Sequence, residues 1–281
     1  MKMSIKVEDV SKRFITKHSD TETLSKVNIE FKPGEFICIL GPSGCGKSTL
    51  LNIIAGLEQA TAGRVTLNGK QVTGPGPDRV VMFQEAALFP WLNVIDNVEF
   101  GMKMAGVEPK MRRERALKYL KMVHLTNFQH AFIHELSGGM RQRVALARAL
   151  TFDSEVLLMD EPFAALDSQT KMLLQIELQQ IWLKTKKTIL FVTHNVEEAA
   201  ILADRVVVMA ANPGGIKKEF QIQVARPRQS GDVDLAYLMN NIMQELKTEV
   251  EKVAKAEYDN DWDIQKNPIL PDINDNLGSG V

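Results

Sequence analysis

Residues 35–57 read EFICILGPSGCGKSTLLNIIAGL, and the fold turns on how that stretch is read. Residues 35–40 are a nearly continuous apolar run, the pattern of a strand buried on both faces, and from 47 to 57 apolar side chains recur at helical spacing. Between them Gly41, Pro42, Ser43, Gly44, Cys45, Gly46, Lys47 and Ser48 match G-x-x-x-x-G-K-S, the P-loop pattern. The chemistry needs that context. Glycines let the backbone bend so that successive N–H groups point at phosphates, and the helix N-terminus adds partial positive charge. Lys47 is then placed to reach β- and γ-phosphates, Ser48 to offer its hydroxyl to Mg²⁺, and Thr49 to contact the α-phosphate.

Further apolar runs at 80–83, 156–159, 188–193 and 205–209 alternate with helical patterns, which predicts a largely parallel α/β core. Upstream, 3–9 and 26–31 alternate apolar with polar, so a small antiparallel β layer is expected there. From about 88 to 150 the pattern is helical, with helices predicted over 94–105, 110–123 and 139–150, and this reads as an inserted helical subdomain. Over 232–255, Leu235, Leu238, Met239, Ile242, Met243, Leu246, Val250 and Val253 form one amphipathic stripe. The Asn-, Asp- and Pro-rich tail after it is expected to be poorly ordered.

Composition sets limits. Lys and Arg number 34 against 35 Asp and Glu, so no global field draws the chain to nucleic acid, and no nucleic-acid partner is expected. Cys38 and Cys45, the two cysteines, fit neither a zinc site nor a secreted disulfide scaffold, which favours a reducing, cytosolic setting. The N-terminal residues lack a signal-peptide core, so secretion is not expected. No apolar run approaches the ~20 residues that cross a bilayer, so any membrane role has to come through partner subunits.

At 156–161, VLLMDE, an apolar strand delivers Asp160 and Glu161 at its C-terminal end, where α/β sheets bind ligands. Asp160 is expected to hold Mg²⁺ through water and Glu161 to polarise the attacking water. Residues 136–142 read LSGGMRQ, in which Ser137, Gly138 and Gly139 open a helix and can bind a phosphate or simply cap it.

LSGGMRQ resembles the LSGGQ signature of the ATP-binding-cassette (ABC) superfamily, with Met140 where Gln is most common. Other motifs occur in that family's order: Gln84 after VVMF, Ala165-Leu166-Asp167, and His194 in FVTHN. The resemblance covers about residues 3–225. It implies a P-loop NTPase cassette, α/β with a mainly parallel core sheet, over 1–230, followed by a C-terminal helix and tail over 231–281. It also implies ATP and Mg²⁺ as cofactors. Gln84 is the expected contact to Mg²⁺ and the attacking water, Asp167 communicates across a dimer, and His194 contacts the γ-phosphate. Phe14 stands where the family places an adenine-stacking aromatic, often Tyr. The signature of one cassette faces the P-loop of another, so a second cassette must complete each site.

The stretch after Gln84, with SGGMRQRVALARAL and THNVEEAAILADRVVVMAANPG, is similar to the ATPase subunits of bacterial nitrate, sulfonate and taurine importers. That similarity implies transmembrane permease subunits, an extracytoplasmic solute-binding protein, a small anion as cargo, and a peripheral place on the cytoplasmic face of the cell membrane. Leu88, Phe89, Pro90 and Trp91 are either exposed for such a partner or core of the helical subdomain. An exporter motor and a non-transport ABC ATPase are the alternatives. The latter predicts tandem cassettes or a long coiled coil, and neither pattern occurs. For Cys45, a thiol activated by a helix N-terminus competes with a plain need for a small residue.

Overall fold

The alternation of apolar side chains along four strands builds two cores on opposite faces of one sheet. A computed structural model describes residues 4–16 and 20–258. Its strands are β1 (Ile5–Ile15), β2 (Asp20–Phe31), β3 (Phe36–Leu40), β4 (Ala62–Leu67), β5 (Lys70–Gln71), β6 (Arg79–Met82), β7 (Val156–Asp160), β8 (Thr188–Thr193), β9 (Arg205–Ala210) and β10 (Gly215–Gln221). Six of them form a sheet in the order β10-β9-β3-β8-β7-β6, parallel from β9 to β6, with β10 antiparallel at one edge. Every residue of β3, β7 and β8 is buried, as a sheet covered on both faces requires.

Because successive side chains point to opposite faces, Phe36, Cys38 and Leu40 of β3 enter one core and Ile37 and Ile39 the other. Leu157 and Met159 of β7 separate from Val156 and Leu158 in the same way, as do Ile189 and Phe191 of β8 from Leu190 and Val192. The first core is shared with helices α2 (Val94–Met104), α3 (Pro109–Met122), α4 (Gly138–Thr151), α5 (Ser168–Thr185), α6 (Val196–Leu202) and α7 (Val233–Tyr258). The second is filled by α1 (Lys47–Ala55) and the four-stranded antiparallel sheet β2-β1-β4-β5.

The parallel sheet and the antiparallel layer therefore match expectation, and α2, α3 and α4 lie between β6 and β7 in the chain, within two residues of the predicted bounds. The antiparallel strands run longer than the alternation suggested. β1 continues to Ile15 and β2 begins at Asp20, with register shifts and the positive φ of Asp9 (48°) and Lys26 (43°) breaking the period of two. In α5 a polar pair hides the periodicity: Gln179 is fully buried, donating to the Arg228 carbonyl and accepting from its N–H, both at 2.9 Å. The predicted C-terminal helix is α7, and Leu235, Ile242 and Leu246 of its stripe are buried in the chain's own first core, whereas Met243 and Val250 stay exposed. The expectation of a poorly ordered tail falls outside the described residues from 259 onward. No helix among the described residues is long and apolar enough to cross a membrane.

Candidate active site

Parallel strands place their C-terminal ends on one side, and that side carries the candidate site. A cleft of about 480 Å³ is lined by Thr23, Ser43, Gly44, Gly46, Lys47, Ser48, Thr49, Gln84, Glu161 and His194. Residues from the ends of β3, β6, β7 and β8 thus meet, as the motifs predicted, and Thr23 of β2 joins them. Thr23 carried no signal in the sequence, being one polar residue in an exposed, alternating strand.

The P-loop takes its shape from Gly46, the residue before α1, at φ 93°. A Cβ there would lie 2.6 Å from Leu24 Cδ2, so both conformation and space demand glycine. Gly46 has no side chain to cap α1, and the first N–H groups of the helix stay available for an anion. Lys47 is buried, and its Nζ donates to the carbonyls of Gly41 at 2.9 Å and Pro42 at 2.8 Å. Cys45 is buried within the loop, and desolvation pushes its thiol above the ordinary range against the pull of Lys47. Burial and that upward shift favour the plain need for a small residue at Cys45 over an activated thiol.

Asp160 is buried at the end of β7, where desolvation raises its pKa, the hydroxyl of Ser48 opposes this, Glu161 adds to it and Lys47 opposes it. Its Oδ1 has no hydrogen-bond partner. An orphaned carboxylate oxygen beside a serine hydroxyl is a hard-oxygen donor set that suits Mg²⁺, which keeps most of its ligands as water and phosphate. Among the described residues no cluster of three His, Cys, Asp or Glu offers a different metal site.

Glu161 has φ 45°, a left-handed conformation rare for a non-glycine residue, and its N–H donates to Val192 O at 3.0 Å. That bond joins the end of β7 to β8 and brings His194 alongside. His194 Nδ1 lies 3.1 Å from Glu161 Oε2. The histidine side chain is 60% exposed and the glutamate 17%, so the pair stands at the wall of the cleft with the ring toward solvent. Beneath it, buried Glu198 accepts from Thr193 Oγ1 at 2.7 Å and pairs with Lys171 at 2.8 Å, fixing the turn that carries His194.

Five predicted residues stand away from this cleft. Phe14 is 39% exposed on β1 with Lys12 Nζ 4.7 Å from its ring centre. Ser137 caps α4, accepting from Met140 N at 3.2 Å, with Gly138 and Gly139 opening that helix. Asp167 caps α5, accepting from Thr170 N at 2.9 Å, and these hydrogen bonds hold its carboxyl below the usual range. The start of α4 lies close to the segment before α5: a Cβ on Gly139 would sit 3.3 Å from Ala165 O. A hollow of about 580 Å³ beside Leu166 and Asn195 is larger than the cleft, yet it holds no P-loop and no paired carboxylate.

The loop after Gln84 divides its apolar run. Leu88 packs against the first core and Phe89 is half-buried between Phe100, 4.3 Å away between ring centres, and Trp91, 5.5 Å away. Only Pro90 and Trp91 are exposed, Trp91 by 70%. Fully buried Asn97 fixes the loop, accepting from Phe89 N at 2.8 Å and donating to the carbonyls of Phe89, Leu92 and Asn93. Arg148 donates to Ala86 O and Ala87 O from the other side.

Comparison with known proteins agrees with this chemistry. The profile of the family described as "ABC transporter" matches residues 24–164. An uncharacterized ABC transporter ATP-binding protein of Methanocaldococcus jannaschii is 49% identical over 255 residues, covering 91% of this chain and 96% of its own length. The nitrate import ATP-binding protein of Synechocystis is 47% identical over 222 residues, covering 79% of this chain and 84% of its own. Among solved structures, a dimeric ATP-binding cassette in a post-hydrolysis state with ADP and Pi superposes with a TM-score of 0.72 at 32% identity, covering 79% of this chain and all of that one.

Proposed function

The chain belongs to the ABC transporter family and is an ATP hydrolase of that type, and from that premise we propose that it energises import of a small anion through partner permease subunits. The observation that carries the reading is a division of labour. Lys47, Glu161 and His194 line one cleft while Ser137, Gly138 and Gly139 open α4 outside it, which supports a second cassette supplying the opposing phosphate cradle. The dimeric cassette holding ADP and Pi supports that arrangement.

In this mechanism the amides around Gly44 and Gly46, the Lys47 ammonium and the free N–H groups of α1 receive the phosphate chain. Ser48 and Asp160 would hold Mg²⁺, which when bound neutralises phosphate charge. Glu161 accepts the proton of the attacking water. With its proton on Nδ1, His194 donates to Glu161 Oε2 and leaves Oε1 to meet the water. Gln84 lines the same cleft and begins the loop that runs to the exposed Trp91. Closure around two ATP molecules and opening after hydrolysis is the mechanical output.

Import rather than export, with nitrate as cargo, is supported by the name of the Synechocystis relative, and a sulfonate such as taurine by relatives named taurine import ATP-binding proteins, 45–47% identical. An extracytoplasmic solute-binding protein and a peripheral position on the cytoplasmic membrane face belong to the same reading. The test is reconstitution of this chain with its permease subunits and solute-binding protein in vesicles. ATP-dependent uptake of labelled nitrate or taurine is expected, and solute moving from the side that holds this chain to the side that holds the binding protein would overturn the direction.

A further inference from the structure

One buried carboxylate connects α7 to the floor of the P-loop. Glu249 is fully buried, accepts the N–H of Ala211 at 3.0 Å, and is paired with Lys217 Nζ at 2.9 Å and Lys252 Nζ at 2.8 Å. Burial would raise its pKa, yet these bonds hold the carboxyl below the ordinary range. Val253, one turn further along α7, packs into the second core that holds Cys45, Met209 and Ala211.

From Ala211 the chain turns toward Gly214, whose N–H donates to Thr23 O at 3.0 Å and whose carbonyl accepts from Ser25 N at 2.8 Å. A Cβ on Gly214 would lie 2.1 Å from Cys45 O and 2.8 Å from Thr23 O, so this turn and the P-loop meet backbone to backbone. Thr23 lines the cleft and Cys45 lies within the loop that cradles phosphate. Each step from α7 to the cleft is therefore a direct contact.

We propose that Glu249 is a positioning residue for nucleotide binding: by pinning the 211–214 turn against the backbones of Cys45 and Thr23, it presets the loop that grips the phosphate chain. The inference rests on assigning the Lys47 cleft as the nucleotide site. It concerns affinity rather than the chemical step, because Glu161 is anchored to β8 through Val192 and not to this turn. The role falls to a helix that lies beyond the family's matched segment.

Two variants of the full chain separate hydrogen bond from charge. Glu249→Gln keeps an acceptor for the Ala211 N–H, whereas Glu249→Asp keeps the charge for Lys217 but withdraws the acceptor by one methylene. Binding of Mg-ATP by calorimetry and steady-state hydrolysis are measured. Glu249→Asp is expected to raise Kd and KM about tenfold with kcat at saturating ATP within about twofold, while Glu249→Gln stays within about threefold of wild type in Kd. Leu235→Ala, at the other end of α7, should lower Tm without moving Kd. Wild-type Kd and KM in Glu249→Asp, or a Kd in Leu235→Ala raised as much as in Glu249→Asp, overturns the proposal. Lys47→Ala distinguishes the underlying assignment: unchanged ATP binding there removes the site itself, whereas its loss beside a silent Glu249→Asp removes only the role of Glu249.

Discussion

Glu161 and His194 stand 3.1 Å apart, Oε2 to Nδ1, although one follows β7 and the other β8. The contact exists because β7 and β8 are parallel neighbours in register, Asp160 opposite Val192, so their ends emerge together. The imidazole and the positive φ of Glu161 together hold its carboxylate in one place, as the proposed role of proton acceptor requires.

Glu161→Gln removes the acceptor and keeps the shape. Turnover should fall by about 10²–10⁴, while ATP binds with wild-type affinity and holds two copies together. Phosphate release and light scattering in Mg-ATP measure both. Wild-type release would contradict the role of Glu161, and a strictly monomeric variant at saturating nucleotide would remove the requirement for a second cassette.

Asp160 gives a pH signature. Burial raises its folded pKa above the unfolded value, so the folded state holds the proton more tightly and loses stability as pH rises from the ordinary aspartate value, about 3.9, through the raised one. Asp160→Asn removes that penalty. Without nucleotide or Mg²⁺ it should melt higher than wild type at neutral pH, the gain shrinking on acidification, while hydrolysis is lost. Thermal melts across pH check the sign, and a variant that melts lower at neutral pH refutes the account.

Asn97 and Trp91 separate stability from coupling. Asn97→Ala strips the buried partners from Phe89, Leu92 and Asn93, and should cost about 2–4 kcal/mol in chemical denaturation. Trp91→Ala changes an exposed side chain and should stay within about 0.5 kcal/mol. Its isolated ATPase should match wild type, while uptake by the assembled transporter falls. Equal uptake in Trp91→Ala vesicles would exclude this loop as a permease contact.

Gly46→Ala meets a positive φ and Leu24 at once. Folding should weaken by about 1–3 kcal/mol and ATP binding should be lost. A titration calorimeter reading normal affinity would argue that the loop does not require its observed turn.

The parts of the site that local sequence could announce are those whose chemistry is local. Lys47 and Ser48 follow a buried strand and open a helix, and Asp160 and Glu161 end one, so context and motif coincide. Residues that reach the site through tertiary contact were not legible. Thr23 lies in an exposed strand, Gly214 in a loop, and Glu249 on what reads as the polar edge of an amphipathic helix; only the fold puts them under the P-loop. The strand limits failed for a related reason, since a bulge at Asp9 changes face without changing composition.

Odd and even residues of β3, β7, β8 and β9 are committed to different cores. Parity along these strands therefore decides which side chains enter which core, whereas Glu161, beyond the end of β7 at φ 45°, is aimed by its turn and not by that alternation. Inserting or deleting one residue within β7 would turn Leu158 and Met159 into the wrong layers and move Asp160 from its place at the strand's end. A change of length inside these strands is thus expected to cost the fold itself, and the place of the carboxylate is kept by the packing of residues that do not line the cleft.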